Sequence, residues 1–348
     1  TNGHGYGIDM VTWEARKYGF ARALQRDVAQ AKALAGDTRE PWLHLNDVAG
    51  FIGPEVFRSK EQLVRCCLED IVMGKLHGLC IGLDICATLH MSVSLDDLDW
   101  CIDQVMPANP AYLMALPTKI DPMLGYLTTG YQDHVRIRER FGYRVEDRMW
   151  QLFQRLEVVN ADGSPGPNYG DPIAIYIAYR RAKGDLRSSG QLRNEAIEQL
   201  AGVRGRGVFI AEGYGSVPSA LEPSLAALIH GITDEARTCI WEQFDDGFRG
   251  QWQTGLLLTT QSKDREDYIL HPESGEQLTT ASLKSLNQWR QNTPSFNAVI
   301  VISDGLNARA LKQGDQLKRL YTSLYQALKD DGWRVAETPL IIDSGRVR

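Results

Sequence analysis

Residues 48–123 constrain the fold of this 348-residue chain more than any other stretch. Apolar runs alternate with amphipathic segments in the order strand, helix, strand, helix, strand, and strands are expected at 43–51, 79–87 and 111–116. Strands that are joined by helical crossovers pair in parallel, so this order predicts an α/β fold. In (β/α) barrels the loops after such strands meet at one pole and carry the active site.

Capping signals indicate where the helices between these strands begin. Ser59 followed by Gln62 is a capping-box pattern, and Ser94 with Asp97 can cap the second helix in the same way. Gly78 is a stop signal for the first of them. Another amphipathic helix is expected before the first strand, at 8–36.

The second half of the chain shows more helices and then a further strand-containing part. Helices are expected at 130–141, 145–156 and 173–205, the last with weak breaks at Gly184 and Gly190, and a turn-rich boundary at 160–172. The elements expected after these are a strand and turn from 267, a helix at 281–290, a strand at 298–302, a helix at 315–330 and a strand at 333–342. The last three form a βαβ unit, which is the start of a doubly wound fold. Ligands of such folds bind outside the carboxyl ends of the strands.

The composition is that of an ordinary globular protein. A net charge of −6 and the lack of a basic face argue against a nucleic-acid partner. No apolar run is long enough for a membrane span, and no signal peptide is found. The six cysteines form no CxxC pair, which argues against zinc and predicts reduced thiols in a cytoplasmic core. Because the chain begins at Thr1 rather than Met and stops just after an apolar strand, we interpret it as an internal piece of a longer polypeptide.

Asp84 is the strongest candidate for a functional side chain. A carboxylate inside an apolar strand is costly unless it is paired or hydrogen-bonded. At the carboxyl end of a barrel strand it is well placed to bind a small cation or a hydroxyl group. The alternative is a structural salt bridge, for example to Lys75 or Arg65, and the spacing alone favours neither.

Other candidates have structural explanations that weigh more. Phe51 and Tyr112 lie in apolar strands and fit core packing. His90 is expected to be a hydrogen-bonded loop residue rather than a ligand. Met114 and Met123 fit the core or a lid, although methionine also packs well against large irregular ligands.

The turn at 303–305 follows a strand and precedes a helix. Such a turn can present backbone N–H groups to an anion, and a plain tight turn explains it equally well. The sequence contains no GxGxxG, Walker A, HExxH or GxSxG motif.

The first half of the chain resembles a known enzyme family. Residues 1–187 resemble the carboxyl-terminal part of the large (catalytic) subunit of ethanolamine ammonia-lyase, through TWEARKYGFAR, VAGFIGPEV, LEDIVMGKLHGLCIGLDIC, MALPTKIDPMLGYLTT and YGDP. From about residue 262 the chain resembles the small subunit, through REDYILHP, VIVISDGLNARAL and SGRVR. We therefore interpret the chain as part of a fusion of the two subunits.

The resemblance implies a fold and three segments. Residues 1–187 would form the C-terminal part of a (β/α)8 TIM barrel, 188–261 a helical connecting segment, and 262–348 the start of a Rossmann-like cobalamin-binding domain. Adenosylcobalamin would lie between barrel and small subunit. With about three of eight barrel strands, the first strand would expose an unpaired edge.

Site roles also follow from the resemblance. Asp84 is implied to bind the substrate near its amino group, and Phe51 to line the substrate cavity. Thr1, Met123 and Val347 are implied to contact cobalamin. No catalytic residue is assigned within the chain. No protein ligand to cobalt is expected, since the Asp-x-His-x-x-Gly motif is absent.

The implied reaction converts ethanolamine to acetaldehyde and ammonia, with radical chemistry supplied by the cofactor. Substrate contacts that the family places before residue 1, and later cobalamin-binding strands, are missing, so we expect the isolated chain to be inactive. A non-catalytic assembly or scaffold module, and another amino-alcohol or diol lyase, are the alternatives. The implied partners are ethanolamine and the remaining parts of both subunits in a homo-oligomer, in the free cytoplasm or in a protein-shelled bacterial microcompartment.

Overall fold

The computed structural model describes residues 10–49, 58–116, 119–121, 125–206, 219–220 and 223–346. The first elements are α1 (Met10–Leu34), β1 (His44–Ala49), α2 (Lys60–Leu76), β2 (Cys80–Ile85), α3 (Leu95–Val105), α4 (Tyr131–Phe141) and α5 (Asp147–Arg155). The middle elements are α6 (Pro172–Ala182), α7 (Ser189–Gly205) and α8 (Pro223–Trp241). The last elements are α9 (Asp246–Gln251), β3 (Leu256–Thr259), α10 (Arg265–Leu270), α11 (Thr280–Asn292), β4 (Val301–Ser303), α12 (Ala308–Lys312), α13 (Gln316–Asp330) and β5 (Leu340–Asp343).

Both capping predictions are confirmed. The hydroxyl of Ser59 accepts a hydrogen bond from the N–H of Gln62, whose side chain returns a bond to the N–H of Ser59. Ser94 and Asp97 make the same reciprocal pair at the start of α3. After α2, the chain turns at Gly78 with φ +68°, the left-handed conformation that glycine adopts without steric cost.

The first sheet is parallel, as predicted. β1 and β2 pair so that Val48 lies opposite Asp84. The segment predicted as the third strand pairs with the other side of β2, where the N–H of Leu83 donates to the carbonyl of Tyr112 (3.1 Å) and the N–H of Met114 donates to the carbonyl of Leu83 (3.0 Å). The described residues thus form an open α/β sheet and no closed barrel.

The two faces of this sheet differ. One face packs against α2 and α3, where Leu83 and Ile85 join the main apolar core. Alternation along β2 places Gly82 and Asp84 on the opposite face. There the ring of Tyr112 lies so close to Gly82 that an added Cβ would be 2.3 Å from it. The face that carries the buried carboxylate is therefore tightly packed at Gly82.

The second sheet has the parallel order β3-β5-β4. The pairing of β4 with β5 confirms the predicted βαβ unit. The predicted strand and turn after residue 267 is wrong, because the segment forms α10 and a 3-10 turn at Pro272–Glu276. Asp264 caps α10 by accepting a bond from the N–H of Asp267 (2.8 Å). The buried residues Tyr268, Ile269 and Leu270 form a short apolar run that resembles a strand in the sequence.

Two further differences concern the middle of the chain. Of the two weak breaks predicted in the helical stretch 173–205, the one at Gly184 is confirmed, since Gly184 has φ +82° and separates α6 from α7. The one at Gly190 is wrong, because that residue lies inside α7, which the capping box of Ser188 begins. β3 lies inside the segment 188–261 and pairs with β5. The boundaries of the three segments remain a prediction.

Helix α8 contacts both halves of the chain. Ile229, near its start, is buried in the main core of the first half. Ile240, near its end, packs against Tyr268 and its neighbours in α10. The guanidinium of Arg237, between them, donates to the carbonyl of Val93. Within the described ranges, no helix has the length and apolar character that crossing a membrane requires.

Candidate functional site

The candidate site is built around Asp84, which is 1% exposed near the carboxyl end of β2. Its Oδ1 accepts a hydrogen bond from the hydroxyl of Thr128, and its Oδ2 accepts one from the hydroxyl of Tyr126 at 3.4 Å. Both donors come from the segment that leads into α4. The carboxylate is therefore oriented by two neutral donors from a different part of the chain.

The structure contradicts the alternative of a structural salt bridge at this carboxylate. Lys75 donates instead to the carbonyl of Ala108 (2.6 Å), and Arg65 pairs with Glu69 (3.2 Å) on the surface of α2. Among the described residues, no lysine, arginine or histidine forms an ion pair with Asp84. Its negative charge has no counter-charge within this part of the chain.

Burial governs the electrostatics of the site. Loss of water raises the pKa of Asp84 above its ordinary value, the hydrogen bonds from Thr128 and Tyr126 oppose that rise, and the nearby charge of Asp121 adds to it. Burial and the same carboxylate also raise the pKa of the Tyr126 hydroxyl. Bringing a cation close to Asp84 would relieve this penalty, so the site is complementary to a small positive ligand.

A buried ion-pair network holds the segment that carries the two hydroxyl donors. The ammonium of Lys119, itself buried, pairs with Asp99 of α3 and with Asp133 of α4 (3.1 Å). The backbone carbonyl of Lys119 accepts a bond from the N–H of Thr128 (2.9 Å). The sequence did not identify Thr128, Tyr126 or Lys119 as site residues, because nothing in their spacing indicates contact with a strand some 40 residues earlier.

Three of the other candidates, Tyr112, His90 and Met114, are placed by the structure in contacts within the chain. The ring of Tyr112 covers Gly82, and its hydroxyl donates to the carbonyl of Leu45 (3.1 Å). A ring nitrogen of His90 is hydrogen-bonded to the hydroxyl of Thr88 (2.8 Å), as expected of a loop residue. The sulfur of Met114 accepts a bond from the side chain of Asn46 (3.4 Å), which lies opposite Gly82 in the sheet.

Four of the five residues that the resemblance selected lie outside the described residues. These are Thr1, Phe51, Met123 and Val347. Their implied roles stay predictions, and Asp84 is the one residue of the five that the structure describes.

The carboxyl end of β2, which carries Asp84, forms one pole of the molecule. The carboxyl ends of β4 and β5 form a second pole. Asp304, in the turn after β4, accepts a hydrogen bond from the N–H of Ser344 in the turn after β5 (2.8 Å). Its other oxygen faces the guanidinium of Arg265, 3.6 Å away. The turn at 303–305 therefore directs its carboxylate at the chain's own backbone.

The two poles lie against one apolar cluster. Leu89, in the loop after β2, packs against the cluster that contains Ile240 and Tyr268. The hydroxyl of Tyr268 donates to the carbonyl of Gly345, just after β5 (3.2 Å). The loop that follows Asp84 and the turn that follows β5 thus both contact members of this cluster.

The described cysteine, histidine and carboxylate side chains do not gather into a metal centre. The six cysteines, all within the described ranges, form no disulfide with one another. In the part of the chain that the structure describes, no three His, Cys, Asp or Glu side chains are grouped so that they could hold a metal ion. That no residue ligates cobalt stays a prediction.

Fold and site together define a parallel α/β protein with a buried carboxylate near the end of a strand, held by two hydroxyl donors. Residues 1–168 match the family described as ethanolamine ammonia lyase large subunit (EutB), and residues 224–348 match the ethanolamine ammonia-lyase light chain (EutC). The chain belongs to the ethanolamine ammonia-lyase family and joins segments of both subunits.

Curated relatives show the same division. The large subunits of Salmonella typhimurium and Escherichia coli K12 are each 32% identical over 174 residues, which is 50% of this chain and 35% of each relative. The small subunit of Azotobacter vinelandii is 31% identical over 103 residues, 29% of this chain and 37% of that relative. The chain thus spans little more than a third of each of these relatives.

Proposed function

We propose that the chain is part of an adenosylcobalamin-dependent ethanolamine ammonia-lyase in which Asp84 binds the ammonium group of ethanolamine. The observation that carries the proposal is the buried Asp84 carboxylate, which has two hydroxyl donors and no cationic partner among the described residues. Family membership supports a substrate that carries an amino group.

The chemistry of the carboxylate fits this substrate. Ethanolamine is a cation at neutral pH, and opposite charges attract more strongly where water is excluded. The hydroxyls of Thr128 and Tyr126 fix the carboxylate plane, so an incoming ammonium would meet an oriented acceptor rather than a rotating one. Asp84 would thus hold the amino group while the rest of the site acts on the substrate.

The proposal also includes the barrel, the substrate cavity and the cofactor contacts, which reach beyond the described residues. The sheet of β1, β2 and the third strand would be part of a (β/α)8 barrel, with Phe51 lining the substrate cavity. Thr1, Met123 and Val347 would contact the cofactor. Contact of Leu89 and of the turn after β5 with one apolar cluster supports a cofactor that would touch both segments. Adenosylcobalamin, when bound, would supply the radical chemistry of the deamination.

The test is acetaldehyde release by the longer polypeptide that contains residues 1–348, supplied with adenosylcobalamin and ethanolamine. We expect Asp84→Asn to lower kcat/KM by at least about 10- to 100-fold, which corresponds to one lost charge-assisted interaction. Asp96→Asn, an exposed carboxylate in the first turn of α3, is the matched control and should leave the rate unchanged.

Equal activity of wild type and Asp84→Asn, both folded by circular dichroism, would make Asp84 structural. An inactive wild type that binds neither ethanolamine nor cobalamin would favour the assembly module instead. Activity on another amino alcohol or a diol, with ethanolamine inert, would favour the other lyase.

A further inference from the structure

Both hydroxyls that contact the Asp84 carboxylate lie on one short antiparallel ribbon. The ribbon consists of residues 119–121 and 126–128. The N–H of Thr128 donates to the carbonyl of Lys119 (2.9 Å), and the N–H of Asp121 donates to the carbonyl of Tyr126 (2.9 Å). The positions of both hydroxyls therefore depend on where the first strand of the ribbon is held.

The ribbon is attached on one side to the chain that follows β2. Leu127 exchanges two backbone hydrogen bonds with Ala87 (2.8 and 3.0 Å). These bonds bring the ribbon beside Asp84, but they act at a single residue of the ribbon. A ribbon that is held at one residue can still turn about that point, so a second attachment is needed to fix its orientation.

Lys119 makes a second attachment. Its side chain is buried, and its ammonium pairs with Asp99 of α3 and with Asp133 of α4 (3.1 Å). Asp133 also accepts a hydrogen bond from the N–H of Gly130, which lies between the ribbon and α4 (2.7 Å). One ammonium thus joins the ribbon to two helices.

The ammonium belongs to a network of three cations and three carboxylates. The members are Lys119, Arg136, Arg140, Asp99, Asp103 and Asp133. Arg136 and Arg140 of α4 each lie 2.7 Å from Asp103 of α3, so these helices are tied to each other without the lysine. Lys119 is therefore the member that connects the ribbon to them.

A buried ammonium is a costly way to stabilise a fold. Loss of water offsets much of the attraction between buried charges, and apolar side chains of similar volume often stabilise as well. The better-attested role of such pairs is to select one arrangement of elements. The alternative is that the bonds to Ala87 place the hydroxyls and that Lys119 adds stability only.

We propose that Lys119 is a positioning residue for the candidate site, because its ammonium fixes the ribbon so that the two hydroxyls are directed at Asp84. Oriented in this way, the carboxylate binds the ammonium group of the substrate. The second statement rests on the proposed function, whereas the first does not.

The first arm of the test measures hydrogen exchange of the ribbon in the 348-residue chain. Lys119→Met alone would leave the buried Asp133 with only a guanidinium 3.9 Å away, so the variant combines Lys119→Met with Asp133→Asn. Asparagine can still accept the bond from Gly130. We expect exchange of the ribbon amides to accelerate at least about 10-fold, while the circular dichroism stays that of the wild type.

Lys60→Met is the matched control. Lys60 pairs with Asp97 of α3 from the start of α2 (2.7 Å), so the change removes a lysine–aspartate pair between two helices. Exchange of the ribbon should stay at the wild-type rate. The same wild-type rate in the folded double variant would overturn the proposal. Loss of the folded spectrum in the double variant would overturn it too, because the pair would then serve stability.

The second arm measures KM for ethanolamine against pH in the longer polypeptide that contains residues 1–348. Misplaced hydroxyls would no longer stabilise the ionised carboxylate, so the pKa of Asp84 would rise further. Other titratable groups near this carboxylate, Tyr126, Asp121 and Cys86, are retained in the double variant. As pH is lowered, we expect its KM to begin to rise about 0.5–1 pH unit earlier than in the wild type, which corresponds to one lost hydrogen bond.

A variant that had lost stability alone would keep the wild-type KM profile at temperatures where it stays folded. Faster exchange of the ribbon with an unchanged KM profile would therefore overturn the role in substrate binding. Faster exchange in the variant, together with no turnover of ethanolamine by the wild type, would support the positioning of the ribbon and contradict the proposed function.

Discussion

At the scale of single residues, the ionisation of Asp84 should control substrate binding. Burial raises the pKa of this carboxyl, and an ammonium ion is attracted only to its ionised form. We expect KM for ethanolamine to rise as pH is lowered through that pKa. Steady-state kinetics of the longer polypeptide between about pH 4 and pH 8 measures this. A KM that is flat across this range, in an enzyme that stays folded, would contradict a role for the Asp84 charge.

A second buried carboxyl gives a stability prediction. Asp70 of α2 accepts hydrogen bonds from Tyr18 (2.8 Å) and Lys17 (3.0 Å), and Lys17 also pairs with Asp47 of β1. Cys66 contacts its other oxygen (3.7 Å). Burial, and secondly the charge of Asp47, raises the pKa of Asp70 to about 6, although Lys17 opposes the shift.

The sign of the pH dependence follows from this pKa. A carboxyl whose pKa is raised on folding binds its proton more tightly in the folded state. Its contribution to the free energy of unfolding is therefore complete below the unfolded pKa of about 3.9 and is lost as pH rises through about 6. We expect the Tm of the wild type, measured relative to that of Asp70→Asn, to fall over this window. Asp27→Asn, an exposed change on α1, is the control and should leave the pH dependence of Tm unchanged. If the Tm of Asp70→Asn depended on pH as the wild-type Tm does, the account would be contradicted.

At the scale of elements, close packing of the third strand on β2 depends on Gly82. An added Cβ would lie 2.3 Å from the ring of Tyr112, so one of the two strands would have to shift. We expect Gly82→Ala to lower the free energy of unfolding by about 1–3 kcal/mol, the usual cost of overpacking. Denaturant unfolding measures the change.

Gly202→Ala is the matched control for that substitution. Gly202 lies in α7, and no atom lies within 4 Å of its added Cβ. The control should stabilise by about 0.5–1 kcal/mol, because alanine is the better helix former. Equal effects of the two changes would contradict the packing described for β2.

Local signals allowed most elements to be predicted from the sequence. The reciprocal bonds of Ser59 with Gln62 are set by residues three apart, and the buried strand around Asp84 is marked by its continuous apolar run. The strand and turn predicted from residue 267 is wrong, because the apolar residues there are too few to show a helical period and the helix start depends on the cap at Asp264.

The candidate site was only partly predictable. Asp84 was identifiable because a charge inside an apolar strand is unusual on its own. Thr128, Tyr126 and Lys119 were not, since their roles depend on contacts with elements far away in the sequence.

At the scale of the whole molecule, α8 connects the two family segments. Its start, near the beginning of the light-chain match at residue 224, packs into the core of the large-subunit segment, and its end packs against α10. The loop after Asp84 and the turn after β5 consequently border the same cluster.

The most direct measurement of the central claim is acetaldehyde release from ethanolamine by the longer polypeptide, with and without adenosylcobalamin. The account predicts release only with the cofactor, and none from residues 1–348 alone. Release without cobalamin, or no release from a folded polypeptide that carries complete segments of both subunits, would contradict it.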